Sequence, residues 1–253
     1  MMSSLRQQVS AKEWAARCEL AALYRLIAYY RMTDLIDTHI SLRVPDTEGH
    51  FLINQYGIPF EKMTASHLVK IDYDGNIVDQ HDQGKMVNVA GFVIHSAIHS
   101  ARQDLHCVIH THTADGIAVS AQKQGLLPIS QHALKFYNKI SYHDYEGVAL
   151  LTEERERLVQ DFGQNRVMIL RNHGLLAAGD SVQRAFHEIY FLERACQAQI
   201  KALAGGCELN IPSQQVREHT NAQFESKGIE RIIANAWHAA LSLIEQQKEE
   251  YCS

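Results

Sequence analysis

Two histidines separated by a single residue close an apolar run: His110-Thr111-His112 lies at the end of CVIHTHT, residues 107–113. Side chains of an extended chain alternate between faces, so residues i and i+2 point the same way and both imidazoles can meet one ion. A second apolar run, RVMIL at 166–170, leads into Asn172-His173-Gly174. His173 would supply a third nitrogen and leave a coordination position open to a substrate oxygen. Gly174 would let the backbone pass close to the ion. Three imidazoles suit Zn²⁺, but also Co²⁺, Ni²⁺, Mn²⁺ or Fe²⁺. The plain alternative is a pair of strand-end imidazoles, one exposed and one hydrogen-bonded, because 15 histidines in 253 residues place some pairs two apart by chance.

Other reactive side chains have simpler readings. His95 and His99 stand at i, i+4 on one helix face and read as hydrogen-bonded packing residues. His39 could contact an anion if protonated; an ordinary histidine at a strand edge is the plainer account. Cys107 and Cys196 sit on apolar faces and read as inert core thiols. The EERER run at 153–157 reads as a solvated helix face.

The elements that must position these residues follow from periodicity. Residues 11–30 are apolar around most of a helix and contain neither Gly nor Pro. Two strand-like runs, 39–44 and 50–54, flank the turn residues 45–49. Residues 68–72 and 76–78 read as a further hairpin about Tyr73-Asp74-Gly75. Asn88 is placed to cap a helix from Val89 to about Arg102. A small-residue helix spans 114–122, and Thr152 is placed to cap another that runs to Phe162, with Glu153 and Glu154 in its first turn. After the strands 166–170 and 175–178, a long amphipathic helix covers 181–204 and stops at Gly205-Gly206. Residues 221–251 are largely helical and polar. Strands alternating with helices and hairpins predict an α/β fold with a mixed or mostly antiparallel sheet covered by helices. The chain divides into a domain at 1–206 and a helical extension at 207–253, packed on the same domain or on a neighbouring subunit.

Composition narrows the function classes. Hydrophobic residues make up 46% and charged residues 21%, as in an ordinary globular core. The net charge is 24 − 29 = −5 and no basic run occurs, which predicts neither nucleic-acid nor membrane-surface binding. The longest uncharged stretch, 86–101, holds two histidines and is too short and polar to span a bilayer. Five scattered cysteines without a CxxC pair, and an N-terminus without an apolar signal core, predict a soluble cytoplasmic protein with reduced thiols.

Four segments carry a family resemblance: NVAGFVIHSAIHSARQDLHCVIHTHT, GLLPISQHAL, YHDYEG and VMILRNHGLLAAGDSVQRAFHEIYFLERACQAQ. Together, over about residues 11–206, they resemble the class II aldolase/adducin family, in its adducin-like branch rather than its sugar-phosphate aldolases. The resemblance implies an α/β/α fold around a mostly antiparallel sheet, in tetramers with the active site at a subunit interface. It implies a Zn²⁺ or similar divalent ion on His110, His112 and His173. In the family's aldolases the ion polarises a ketose phosphate and holds the charge of an enediolate.

The chain departs from the aldolase pattern at the proton-shuttling carboxylate. The expected acid falls at Gly91, and no Asp or Glu lies between Asp82 and Asp104. The small-residue pair that helps hold phosphate is Val89-Ala90, and the Gly-Asn of the earlier phosphate loop is Thr38-His39. Gly57 keeps a family position near the phosphate end. His132 lies near the family's interface aromatic and could move protons, although a rim histidine without a role is the plainer reading. The catalytic residue is therefore unassigned. Three functions follow: a metal-dependent lyase on a small hydroxy-carbonyl or sugar-derived substrate, a non-catalytic adducin-like assembly domain with a structural or vestigial metal, or an epimerase or decarboxylase of the same superfamily.

Overall fold

Alternation of apolar residues along the strands sorts their side chains between two helix layers. A computed structural model describes residues 5–147 and 154–253. After a short turn of helix α1 (Leu5–Gln8), the long helix α2 (Ala11–Tyr29) precedes strands β1 (His39–Arg43), β2 (His50–Asn54) and β3 (Leu68–Asp72). Helix α3 (Val89–Ala101) and strand β4 (Cys107–Thr111) follow, then helices α4 (Ala114–Ser120) and α5 (Gln131–Leu134). Strand β5 (Ile140–His143), helix α6 (Glu154–Phe162) and strands β6 (Val167–Leu170) and β7 (Gly174–Gly179) lead to helix α7 (Val182–Ala204). Helices α8 (Gln214–Phe224), α9 (Ile229–Ser242) and α10 (Lys248–Tyr251) complete the described chain.

Among the described residues the sheet has seven strands in the order β3-β2-β1-β4-β7-β6-β5. Every neighbouring pair is antiparallel except β5 and β6. This is the mixed, mostly antiparallel α/β sheet that the sequence predicts. Ile40, Leu42, Cys107, Ile109, Ile169, Leu175 and Ala177 face α2 and α7, and Trp237 of α9 joins the same cluster. Val108, Met168, Leu176 and Ala178, one residue out of phase, face Val93, Ile94, Ala97 and Ile98 of α3 and Leu158 and Phe162 of α6. Each fully buried Leu or Ile contributes about 1.5–3 kcal/mol. A one-residue slip of β4 would exchange the two sets, so burial holds the register that aims His110 toward the α3 side.

Two expectations change in detail. Residues 76–78 make one isolated bridge, Ile71 to Ile77, rather than a strand. The Asp72 carboxylate accepts the Asp74 and Asn76 amides at 2.9 and 2.8 Å and closes the turn early. The polar C-terminal helix is broken by Gly228, left-handed at φ 103°, and its first piece begins at Gln214, where the Ser213 hydroxyl accepts the Val216 amide. Strand β5 carries no strong signal of its own, because its four residues gain their pairing from β6, more than 20 residues further on. The cap placed at Thr152 and the first-turn residue Glu153 lie outside the described residues. Trp237 packs edge-on to Phe186 at 5.6 Å, and Arg25 pairs with Glu250 at 3.0 Å. No described helix is long and apolar enough to cross a membrane.

Candidate metal centre

Strand β4 runs through the middle of the sheet, paired with β1 on one side and β7 on the other. His110 is buried within it, and His112 stands just past its end, on the same side by alternation. His173 comes from the tight turn between β6 and β7, where its amide donates to the Leu170 carbonyl at 3.1 Å. Asn172 supplies the left-handed residue of that turn at φ 54°, a conformation that Asn tolerates. Gly174 is required for another reason: a Cβ there would lie 2.4 Å from the Thr111 carbonyl oxygen and 3.1 Å from the His112 ring. Its absence lets the β6–β7 turn close onto the end of β4.

The three rings converge through their Nε2 atoms. His110 Nε2 and His112 Nε2 are 2.8 Å apart, and His112 Nε2 and His173 Nε2 are 2.9 Å apart. The opposite nitrogens show which tautomers face the centre. His110 Nδ1 lies 3.0 Å from the Leu175 carbonyl oxygen and His112 Nδ1 lies 3.0 Å from Asp34 Oδ2. Both partners only accept, so both Nδ1 atoms donate, and in a neutral ring each Nε2 then presents a lone pair inward. Two lone pairs facing at hydrogen-bond distance repel unless a cation lies between them. A proton on His112 could serve one neighbour at a time, whereas a divalent ion serves all three. Zn–N bonds of about 2.0–2.1 Å in tetrahedral geometry ask the nitrogens to stand about 3.3 Å apart, so seating an ion moves each ring back by a few tenths of an ångström. The donor set fits such a group.

Burial tunes the rings in the same direction. His110 is pushed well below the ordinary imidazole range by burial, and then by the proximity of His173, His112 and His39. His173 is lowered to about 4, again mainly by burial. Neutral rings are the form that ligates a metal. His112 and His173 remain partly exposed, and the exposed Tyr145 ring stands 6.3 Å from His173, so the site opens on that side.

His39 occupies an unexpected place. It is Cα-paired with His110, is 4% exposed, and stacks on the His110 ring at 5.6 Å. A Cβ on Gly91 would lie 2.3 Å from His39 Cδ2. The space beside position 91, where the family pattern puts a carboxylate, is thus filled by an imidazole that requires glycine there. His39 is a buried residue of this cluster, not an ordinary strand-edge histidine, and burial pushes its pKa well below the usual value. His95 and His99 behave as packing residues: Ser41 Oγ bridges His95 Nδ1 at 2.6 Å and His99 Nε2 at 2.7 Å. His132 stacks on Phe191 at 5.1 Å, and none of its described contacts is with the triad. Cys107 and Cys196 are buried, and burial pushes both thiols up, away from the reactive thiolate.

Sequence reasoning missed Asp34. Its one signal was an acid in a polar stretch just before β1, with nothing to say which of 15 histidines it would meet. A second group of potential ligands, Asp79, His81 and Asp82, also comes together. There Lys70 Nζ lies 3.4 Å from Asp79, Lys85 Nζ 2.7 Å from Asp82, and the Arg17 guanidinium within 3.6–3.9 Å of both.

Residues 18–200 match the family described as the Class II Aldolase and Adducin N-terminal domain. The chain belongs to this family. A Caulobacter vibrioides protein provisionally named as an aldolase class 2 protein is 45% identical over 248 residues, 98% of this chain and 96% of its own. The crystal structure of an aldolase II superfamily protein from Pseudomonas syringae superposes with a TM-score of 0.93 at 51% identity, covering 99% of this chain and all of that one. Alpha-adducin of Rattus norvegicus is 46% identical over 74% of this chain, which is 26% of adducin. The L-fuculose 1-phosphate aldolase of Glaciozyma antarctica superposes with a TM-score of 0.83 at 25% identity, covering 99% of this chain and 95% of that one. The class II aldolase fold is thereby shown, and the resemblance to adducin in sequence exceeds that to the sugar-phosphate aldolase.

Proposed function

We propose that this family member is a divalent-metal-dependent lyase of the class II aldolase type, with Zn²⁺ as its metal, acting on a small hydroxy-carbonyl or sugar-derived compound. The observation that carries this reading is the convergence of three imidazole nitrogens within 4.8 Å, two of the rings turning their N–H groups away onto oxygen acceptors. When bound, the ion would act as a Lewis acid on the substrate carbonyl and hold the negative charge that develops as the carbon–carbon bond breaks.

The chain's own residues would do the rest. His110, His112 and His173 would hold the ion as neutral ligands, and burial keeps protons from competing for His110 and His173 near neutral pH. The Leu175 carbonyl and the Asp34 carboxylate orient two of the rings. The partly exposed side between His112, His173 and Tyr145 would admit the substrate. The full-length likeness to an L-fuculose 1-phosphate aldolase supports a sugar-derived substrate. The reading extends to a cytoplasmic homotetramer that binds neither nucleic acid nor membrane, in keeping with the acidic charge balance and the unpaired thiols.

The His39–Gly91 pairing favours a second reading. With an imidazole in the place of the expected carboxylate, an adducin-like assembly domain with a structural metal would also use this site. Epimerisation or decarboxylation would share the same charge-stabilised chemistry. The deciding experiment is to purify the untagged protein without chelator, measure its metal content, and screen hydroxy-carbonyl compounds for cleavage. One divalent ion per chain with turnover supports the lyase. One ion without turnover of any compound favours the assembly domain, and protein that takes up no ion on soaking rejects the metal centre.

A further inference from the structure

We propose that Asp34 is the metal-positioning residue of this site, its carboxylate holding His112 in the ligating tautomer and direction from a loop bent for that purpose. The inference rests on the metal-dependent reading above. His110 and His112 are oriented by different means. The acceptor for His110 is the main-chain carbonyl of Leu175 inside the sheet, which no substitution removes. The acceptor for His112 is a side chain 78 residues away, on a loop at the surface.

That loop, residues 31–38, holds three non-glycine residues in the left-handed region: Arg31 at φ 58°, Leu35 at φ 50° and Thr38 at φ 73°. Arg31 is accounted for by the end of α2. Its amide donates to the Ala28 carbonyl and the Met32 amide to the Ile27 carbonyl, both at 2.9 Å, the pattern that closes many helices. Leu35 has no such reason. Its side chain is 85% exposed and so is not bent to reach a core. What its conformation achieves is the tight turn in which the Asp37 amide donates to the Asp34 carbonyl at 2.8 Å, which leaves Asp34 Oδ2 facing His112 Nδ1 at 3.0 Å. Thr38, β-branched and fully buried, then returns the chain to His39 and the start of β1. A left-handed β-branched residue is a real outlier, and such outliers persist where surrounding structure enforces them.

A carboxylate behind a ligating imidazole fixes its tautomer and raises its basicity, and losing such a partner weakens metal binding about 10–100-fold. The test measures Zn²⁺ affinity by competition with a chromophoric chelator, and the visible spectrum with Co²⁺, for the full-length wild type, Asp34→Ala, Asp34→Asn and Asp37→Asn. Asp34→Ala is expected to bind Zn²⁺ about 10–100-fold more weakly and to change the Co²⁺ bands. Asp34→Asn keeps an acceptor oxygen and is expected to lose less. Asp37→Asn, which leaves the His112 contact in place, is expected to bind as the wild type does. Because the Asp34 contact is partly exposed, the metal-free variants should melt within a few degrees of the wild type. Unchanged affinity in Asp34→Ala overturns the proposal, as does an equal loss in Asp37→Asn, which would make loop integrity the cause. A wild type that binds neither ion rejects the metal-dependent reading itself, a result distinct from both.

Discussion

Two places in this molecule gather metal-ligand side chains, and they differ in what surrounds them. At one end of β4, His110, His112 and His173 meet, and the charged side chain paired with them among the described residues is a carboxylate, Asp34. Beside β3, Asp79, His81 and Asp82 meet among three cations, Arg17, Lys70 and Lys85. Glu13 completes that second network, 2.9 Å from Arg17 and 3.0 Å from Lys70. Arg17 is fully buried and donates to the Leu68 carbonyl at 2.8 Å, so its permanent charge must be matched by nearby carboxylates. A dication placed there would set Arg17 and Lys70 against it. At the triad the position is reversed, for a cation there would meet facing Nε2 lone pairs and, among the described residues, no neighbouring cation paired into the cluster. Grouped ligand atoms therefore distinguish little, and local charge balance separates the proposed metal centre from a structural ion-pair network.

Substitutions can break or sharpen this contrast. The largest expected effect is on metal content: His173→Ala should abolish stoichiometric binding, while His81→Ala should leave it unchanged, as read by elemental analysis of both proteins. Equal losses would dissolve the distinction between the two clusters. Next, Arg17→Met should destabilise the fold by about 3 kcal/mol in urea denaturation, the low end for breaking a buried pair, because Glu13 and Asp82 would each lose one of their two cations and keep Lys70 and Lys85. A loss below about 1 kcal/mol would show the network to be solvated after all.

A smaller effect is expected at Gly91. Adding a Cβ in Gly91→Ala drives it into the His39 ring and should cost about 1–3 kcal/mol, measured by urea denaturation. His39→Ala in the same chain should recover part of that loss, whereas additive losses would show that the two residues do not share the space. The smallest effect is on pH dependence. His173 is lowered to about 4 and His99 to about 3 in the folded chain, against an ordinary 6.5. Below pH 6.5 the unfolded chain takes up protons that these rings refuse, so the metal-free fold loses stability as pH falls from about 6.5 toward 4 and 3. By pH 5.5 the loss should be about 1 kcal/mol for each ring, seen as a lower urea midpoint. A midpoint that rises on acidification would mean that the rings are protonated in the fold.

Much of the scaffold is legible locally. The two-residue spacing of His110 and His112 on an apolar strand, and the glycine after His173, carry their meaning within a few residues, because strand alternation and backbone clearance are local physics. The partners of those histidines are not. Asp34 is legible as an acid before β1, yet its role depends on a turn closed by Leu35 in a conformation that leucine seldom adopts. His39 looked like a histidine at a strand edge, whereas β1 in fact lies against the central β4, which buries it. The break at Gly228 lay within a polar stretch whose helical pattern continues on both sides, so periodicity alone did not show it.

By itself the sequence determined most of the strands and helices, β5 and the break at Gly228 excepted, the alternation that sorts them onto two faces, the three histidines as candidate ligands, and the family. The tertiary structure alone decided that His173 meets His110 and His112, that Asp34 stands behind His112, and that His39 takes the space at Gly91. The division has a physical reason. Periodicity and turn chemistry act over a few residues, whereas electrostatic and steric fit act between groups that chain closure brings together from about 50 to 80 positions apart.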